Sequence, residues 1–150
     1  MRLRYEHVDP DGLPRDANAV TLRVRPGLAD SWKGWSALVE AEGVVALADG
    51  YNDGTNGRTR YPLVVDPENI ELNRAQLRYA GKDGLAVTAG RQRLNFADDR
   101  FVGNAPWRQS ELSFVAVRLQ YGKAIVPRLD LAYGWDVRNV NGRNGTGARP

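Results

Sequence analysis

From Val20 to Arg25 every second residue is apolar, Val20, Leu22 and Val24, and every residue between them is polar or charged, Thr21, Arg23 and Arg25. The pattern returns at Trp35, Ala37, Val39 and Ala41, set against Ser36, Glu40 and Glu42, with Leu38 as its one break. A period of two places alternate side chains on opposite faces of an extended strand. Each strand therefore carries one oily face and one ionic face. Two arrangements satisfy such strands: a protein core inside with water outside, or lipid outside with water inside.

The same alternation, bounded by turn residues, marks about seven strands: Arg2 to Val8, Ala19 to Arg25, Trp35 to Ala46, Leu72 to Ala80, Leu85 to Leu94, Leu112 to Tyr121 and Arg128 to Arg138. No stretch of helical length has apolar residues spaced by three and four. The pairs Asp11-Gly12, Asp53-Gly54, Asn56-Gly57 and Asp83-Gly84 punctuate the gaps, as expected of an antiparallel up-and-down meander. With 150 residues, one domain spanning 1–150 is the expectation.

The connections sort by length. Those after the first, third and fifth strands are long and rich in Gly, Asn and Asp, while "PGLADSWKG", "GKDG" and "GKAIVP" after the others are short. Short turns at one end and long loops at the other are the habit of bacterial outer-membrane barrels, whose strands run to about ten residues. Face composition agrees: medium aliphatics fill one face, with Tyr and Trp near strand ends, as at the two water interfaces of a membrane. The opposite face carries arginines with acids on neighbouring strands, too polar for a core and suited to a wet lumen. Phe101, Val102 and Trp107 are too apolar to project freely into water, so at least one long connection is expected to fold inward.

The run from "GWSALVEAEG" through "LNRAQLRYAG", followed by "VTAGRQRLNFADDRFVGNAPWRQSELSFVAVR", resembles the alginate-export-type porins of Gram-negative outer membranes. The likeness covers nearly the whole chain, with "GRQR", "RFVGN" and "WRQ" in that order. It implies a monomeric transmembrane β-barrel that passes hydrophilic, chiefly anionic solutes, such as a polyuronate, through an arginine-rich pore. By resemblance the chain is the N-terminal part of one barrel domain, an incomplete curved sheet whose closing strands lie beyond it. No signal-peptide h-region opens the sequence.

Of the 21 basic residues only Lys33, Lys82 and Lys123 are lysine, and the formal net charge is +3. Arginine grips carboxylate and phosphate bidentately, which inclines the chain towards anionic partners. The expected pore-lining and anion-binding set is Arg23, Arg25, Arg74, Arg78, Arg118 and Arg128, with Glu40 and Glu42 as internal counter-charges. The competing role for these arginines is to pair with the glutamates and hydrate the wall. Arg91 and Arg93 fall on the wrong parity for their strand unless a bulge lies near Gly90.

Enzymatic signals are weak. His7 is the sole histidine and there is no cysteine, so a nucleophilic triad would have to be built on His7 with a Ser or Thr. Asp49, Asn52, Asp53 and Asn56 lack the ligand order of a calcium loop and read as a solvated turn cluster. No cofactor, metal or catalytic set is expected. Nucleic-acid binding is disfavoured, because the basic residues alternate with aliphatics along strands instead of forming an aromatic platform. The rival to an outer-membrane porin is a soluble β-sandwich carbohydrate-binding module with Trp32, Trp35, Trp107 and Trp135 as sugar platforms.

Overall fold

Residues 1–96, 107–122 and 129–139 are described in a computed structural model. Eight strands form: β1 (Arg2–Val8), β2 (Ala17–Val24), β3 (Gly27–Trp32), β4 (Trp35–Gly50), β5 (Asn69–Ala80), β6 (Leu85–Gln92), β7 (Ser113–Tyr121) and β8 (Leu129–Arg138). They make one antiparallel sheet in the order β1-β2-β4-β5-β6-β7-β8, with β3 paired to β4, and the sheet curls into a half-barrel. No helix occurs among the described residues. The edge strands β1 and β8 do not pair with each other, as expected of a curved sheet of about seven strands, and no second sheet packs on this one among the described residues.

The expectation that "PGLADSWKG" is a connection is corrected. Val24 faces Gly43 and Gly27 faces Glu40, so the chain from Thr21 to Trp32 runs along β4 in one unbroken register. Pro26 withdraws a ladder donor, yet its carbonyl still accepts from the Ala41 amide at 2.9 Å. β3 pairs only with β4, and an edge position is where a sheet tolerates proline. The true turn is Lys33-Gly34, both with positive φ (44° and 85°), the conformation required by the tightest hairpins. At 16 residues, β4 is roughly 50 Å long at about 3.3 Å per residue.

The sorting of connections by end becomes sharper. Lys33-Gly34 and residues 81–84 lie at the short end, while 9–16, 51–68 and 93–112 separate strands at the other. A small apolar cluster of Ala17, Ala19, Tyr51 and Val64 fills the concave side at the long end. It packs part of the long β4–β5 connection against the wall. The Tyr51 hydroxyl donates to the Asp66 carbonyl at 2.8 Å. Burial, assisted by Asp53 and Asp66, raises the Tyr51 phenol above its usual range and keeps it a donor.

Gly90 has φ +110°, and a Cβ there would lie 2.2 Å from the Ala75 carbonyl oxygen, so only glycine fits. The register on both sides of β6 nevertheless runs through Gly90 without a shift. There is no bulge to bring Arg91 to the inner face. It stays opposite Ala75 and Val115, and its guanidinium donates to the Leu72 carbonyl at 2.7 Å. Arg93 lies beyond the end of β6, where strand parity no longer binds it.

Candidate functional site: the ionic inner wall

The two faces of the sheet are distributed inversely to those of a water-soluble protein. Leu28 is 83% exposed, Ile70 80% and Tyr133 75%, whereas Thr21 and Gln109 are fully buried and Glu42 is 1% exposed. Large apolar side chains are thus outside, and most charged ones line the concave inside, with Arg91, Asp30 and Asp136 registering with the outer face instead.

Strand pairing brings the first set of charges together. Arg25 approaches Glu42 across the β2–β4 pair, and Glu40 lies opposite Arg74. A register shift after Glu40 leaves Asn73 as the extra residue of β5. Asn73 and Arg74 consequently both reach Glu40: the Asn73 amide donates at 2.8 Å, and the guanidinium donates to both carboxylate oxygens at 3.1 and 2.8 Å.

The second set comes from the connection before β7. Glu111 accepts from Arg25 at 2.6 Å, pairs with Arg93 Nε at 2.7 Å and lies 3.6 Å from Arg23. Arg93 also pairs with Glu40 at 3.2 Å. An unbroken chain of alternating charge results: Glu42, Arg25, Glu111, Arg93, Glu40, Arg74. Beside it Arg23 donates to the Gln109 carbonyl at 2.8 Å, and Arg2 to the Trp107 carbonyl at 2.9 Å. Gln109 donates to Thr21 Oγ1 at 2.8 Å, and its backbone amide to Asp66 at 3.3 Å. Asp66 in turn pairs with Arg4. Segments from both long connections therefore lie on the inner wall, in line with the expected inward fold. Trp107 is still largely exposed, and Phe101 and Val102 lie outside the described residues.

Of the eight expected lining residues, Arg23, Arg25, Glu40, Glu42 and Arg74 belong to this network. Arg118 is apart, held bidentately by Asp130 at 2.7 and 2.6 Å. Arg78 donates to Gln120 at 2.8 Å and Thr88 at 3.2 Å, with no carboxylate in ion-pair range among the described residues. Arg128 lies outside the described residues. Sequence reading missed Glu111, Asp66 and Gln109, and left Arg93 without a role. Their only signal was a polar "QSE" just before a strand.

Glu71 stands directly opposite Glu42, both are buried, and each has a carboxylate oxygen without a hydrogen-bond partner. Like charges facing across a strand pair repel. Glu71→Gln is expected to raise the unfolding free energy by up to about 1 kcal/mol, read as a higher urea midpoint. A lowered midpoint would mean that Glu71 serves the network as a counter-charge.

The remaining candidates are modest. Asp53 Oδ1 accepts from the Thr55 and Asn56 amides at 2.6 and 2.7 Å, and Asn52 Oδ1 from the Gly54 amide at 2.9 Å, which makes the "NDGTN" stretch a self-bonded turn. His7, next to last in β1, is exposed and lies 3.1 Å from Asn18 Oδ1. Trp32, Trp35 and Trp135 are exposed on the outer apolar face, with Trp32 and Trp35 paired beside the Lys33-Gly34 turn.

The chain is thus an antiparallel half-barrel sheet with an apolar exterior and an ion-paired interior. Comparison with protein-family models, with curated proteins and with solved structures gives no match to it.

Proposed function

We propose that the chain forms part of the wall of a Gram-negative outer-membrane β-barrel pore, with lipid against its outer face and hydrophilic solutes, preferentially anions, passing along its inner face. The observation that carries this reading is the inverted burial: exposed Leu, Ile, Val and aromatic side chains outside, buried charge inside. Exposed apolar surface on this scale is costly in water and stable against lipid. Sorted connections and long strands add support. An acidic polysaccharide as cargo, and a monomeric assembly, rest on the resemblance of "GRQR", "RFVGN" and "WRQ".

Anion preference is assigned chiefly to Arg78. The arginines of the ionic network are compensated by Glu40, Glu42 and Glu111, and Arg118 by Asp130, so their field along the lumen largely cancels. Arg78 is held by neutral groups and keeps its charge uncompensated at close range. In planar bilayers under a salt gradient, the complete barrel is expected to give an anion-selective reversal potential, and its Arg78→Gln variant one displaced towards zero. An unchanged potential would remove Arg78 from the transport path. Recovery of the chain as a soluble monomer without detergent would remove the pore itself.

A further inference from the structure

The three lysines of the sequence all fall in short connections: Lys33 between β3 and β4, Lys82 between β5 and β6, and Lys123 between β7 and β8. None occurs on the wall, where every cation is arginine. The two types suit different work. A guanidinium locks into a fixed, bidentate pair, as in the ionic network, whereas an ammonium on a flexible stem lies along apolar surface and lifts its charge into a headgroup layer.

The surroundings of Lys33 and Lys82 fit the second task. Their turns flank a cavity of about 790 Å³ whose lining includes Tyr79 and Leu85, with Lys33, Lys82 and Asp83 among its charged members. The Lys33 ammonium lies 5.1 Å from the centre of the Trp32 ring, and the Trp35 and Tyr79 rings are 5.0 Å apart. Tyr121, opposite Leu85, extends this row of exposed aromatics along the same end of the sheet. Amphipathic rings beside flexible cations are what a lipid–water interface selects. Two ammonium groups against one carboxylate leave the site net positive.

We propose that this end of the sheet holds the headgroup of an anionic phospholipid, its phosphate between Lys33 and Lys82 and its acyl chains along Tyr79 and Leu85. The assignment rests on the membrane reading above and adds a lipid preference that the reading does not require. Ionic attraction supplies the selectivity, so it weakens in about 0.5 M salt as the Debye length contracts.

The test uses the complete barrel to which this chain contributes, with every tryptophan except Trp32 and Trp35 replaced by Phe, so that only these two report. The protein is reconstituted in phosphatidylcholine bilayers containing about a tenth of brominated phosphatidylglycerol or, separately, brominated phosphatidylcholine. Brominated phosphatidylglycerol is expected to quench on the order of twofold more, given the usual attraction of a basic side chain to an anionic headgroup. In the Lys33→Gln, Lys82→Gln variant the two lipids should quench equally, at the phosphatidylcholine level of the parent. Equal quenching in the parent, or an excess that survives in the variant, overturns the lipid site and leaves membrane insertion standing. Absence of quenching by either lipid overturns both.

Discussion

Glu111→Ala is expected to destabilise the protein by about 3–5 kcal/mol, the cost of leaving buried partner charges uncompensated. Three guanidiniums, of Arg23, Arg25 and Arg93, converge on this one carboxylate, whose side chain is only 6% exposed. Arg93 retains some solvent access, which places the expectation at the lower end of that range. Loss of Glu111 also releases the segment that it anchors. Trypsin should then cut after Arg108, whose carbonyl is otherwise held by Arg2 and Arg23. Glu111→Gln keeps the shape and removes the charge. If Gln restores the urea midpoint and the protease resistance, hydrogen bonding rather than charge holds the segment, and the ionic account is wrong.

Val39→Arg should cost about 2–4 kcal/mol of stability in a bilayer, the penalty for a cation on the lipid face near the midplane. Val39 is exposed on the outer face and lies four residues from Trp35 of the aromatic row. Leu38→Arg, one residue away, should be tolerated. Leu38 shares the inner side with Ser36 and lies opposite Gln76, among polar side chains that can accommodate a guanidinium. Urea unfolding of both variants from lipid vesicles gives the comparison. Equal destabilisation of the two would contradict the assignment of lipid and lumen to opposite faces.

Leu38 also shows how strand parity outranks hydropathy. It breaks the alternation in the first half of β4, and the sheet turns it inward all the same, because the pleat alternates side chains whatever their character. The same rule runs through Pro26. The outward series Val20, Leu22, Val24, Pro26, Leu28, Asp30 and Trp32 keeps its period of two across "RPG", with Asp30 as its one charged member, so β3 was legible in the residues. Proline and glycine side by side suggested a turn, but a proline at a sheet edge costs only the one ladder donor that it lacks.

The sequence by itself determined seven of the eight strands, their two faces, the antiparallel order and the sorting of connections, because each follows from the pleat and from turn residues, which act over a few positions. It also put Glu40 and Glu42 on the arginine face as counter-charges, since neighbouring strands in a meander share a face, while the particular pairs Arg25–Glu42 and Arg74–Glu40 came with the register. Tertiary structure alone decided what the arginines do there. Glu111 lies 86 residues from Arg25, and Gln109 lies 88 from Thr21. No local period connects such pairs. Ion pairing is non-directional at long range and specific only at contact, so the choice of counter-charge waits for the chain to fold back. When it does, most of the wall's positive charge is spent on holding the wall together, and Arg78 is the one described member of the expected set that is held by neutral groups alone.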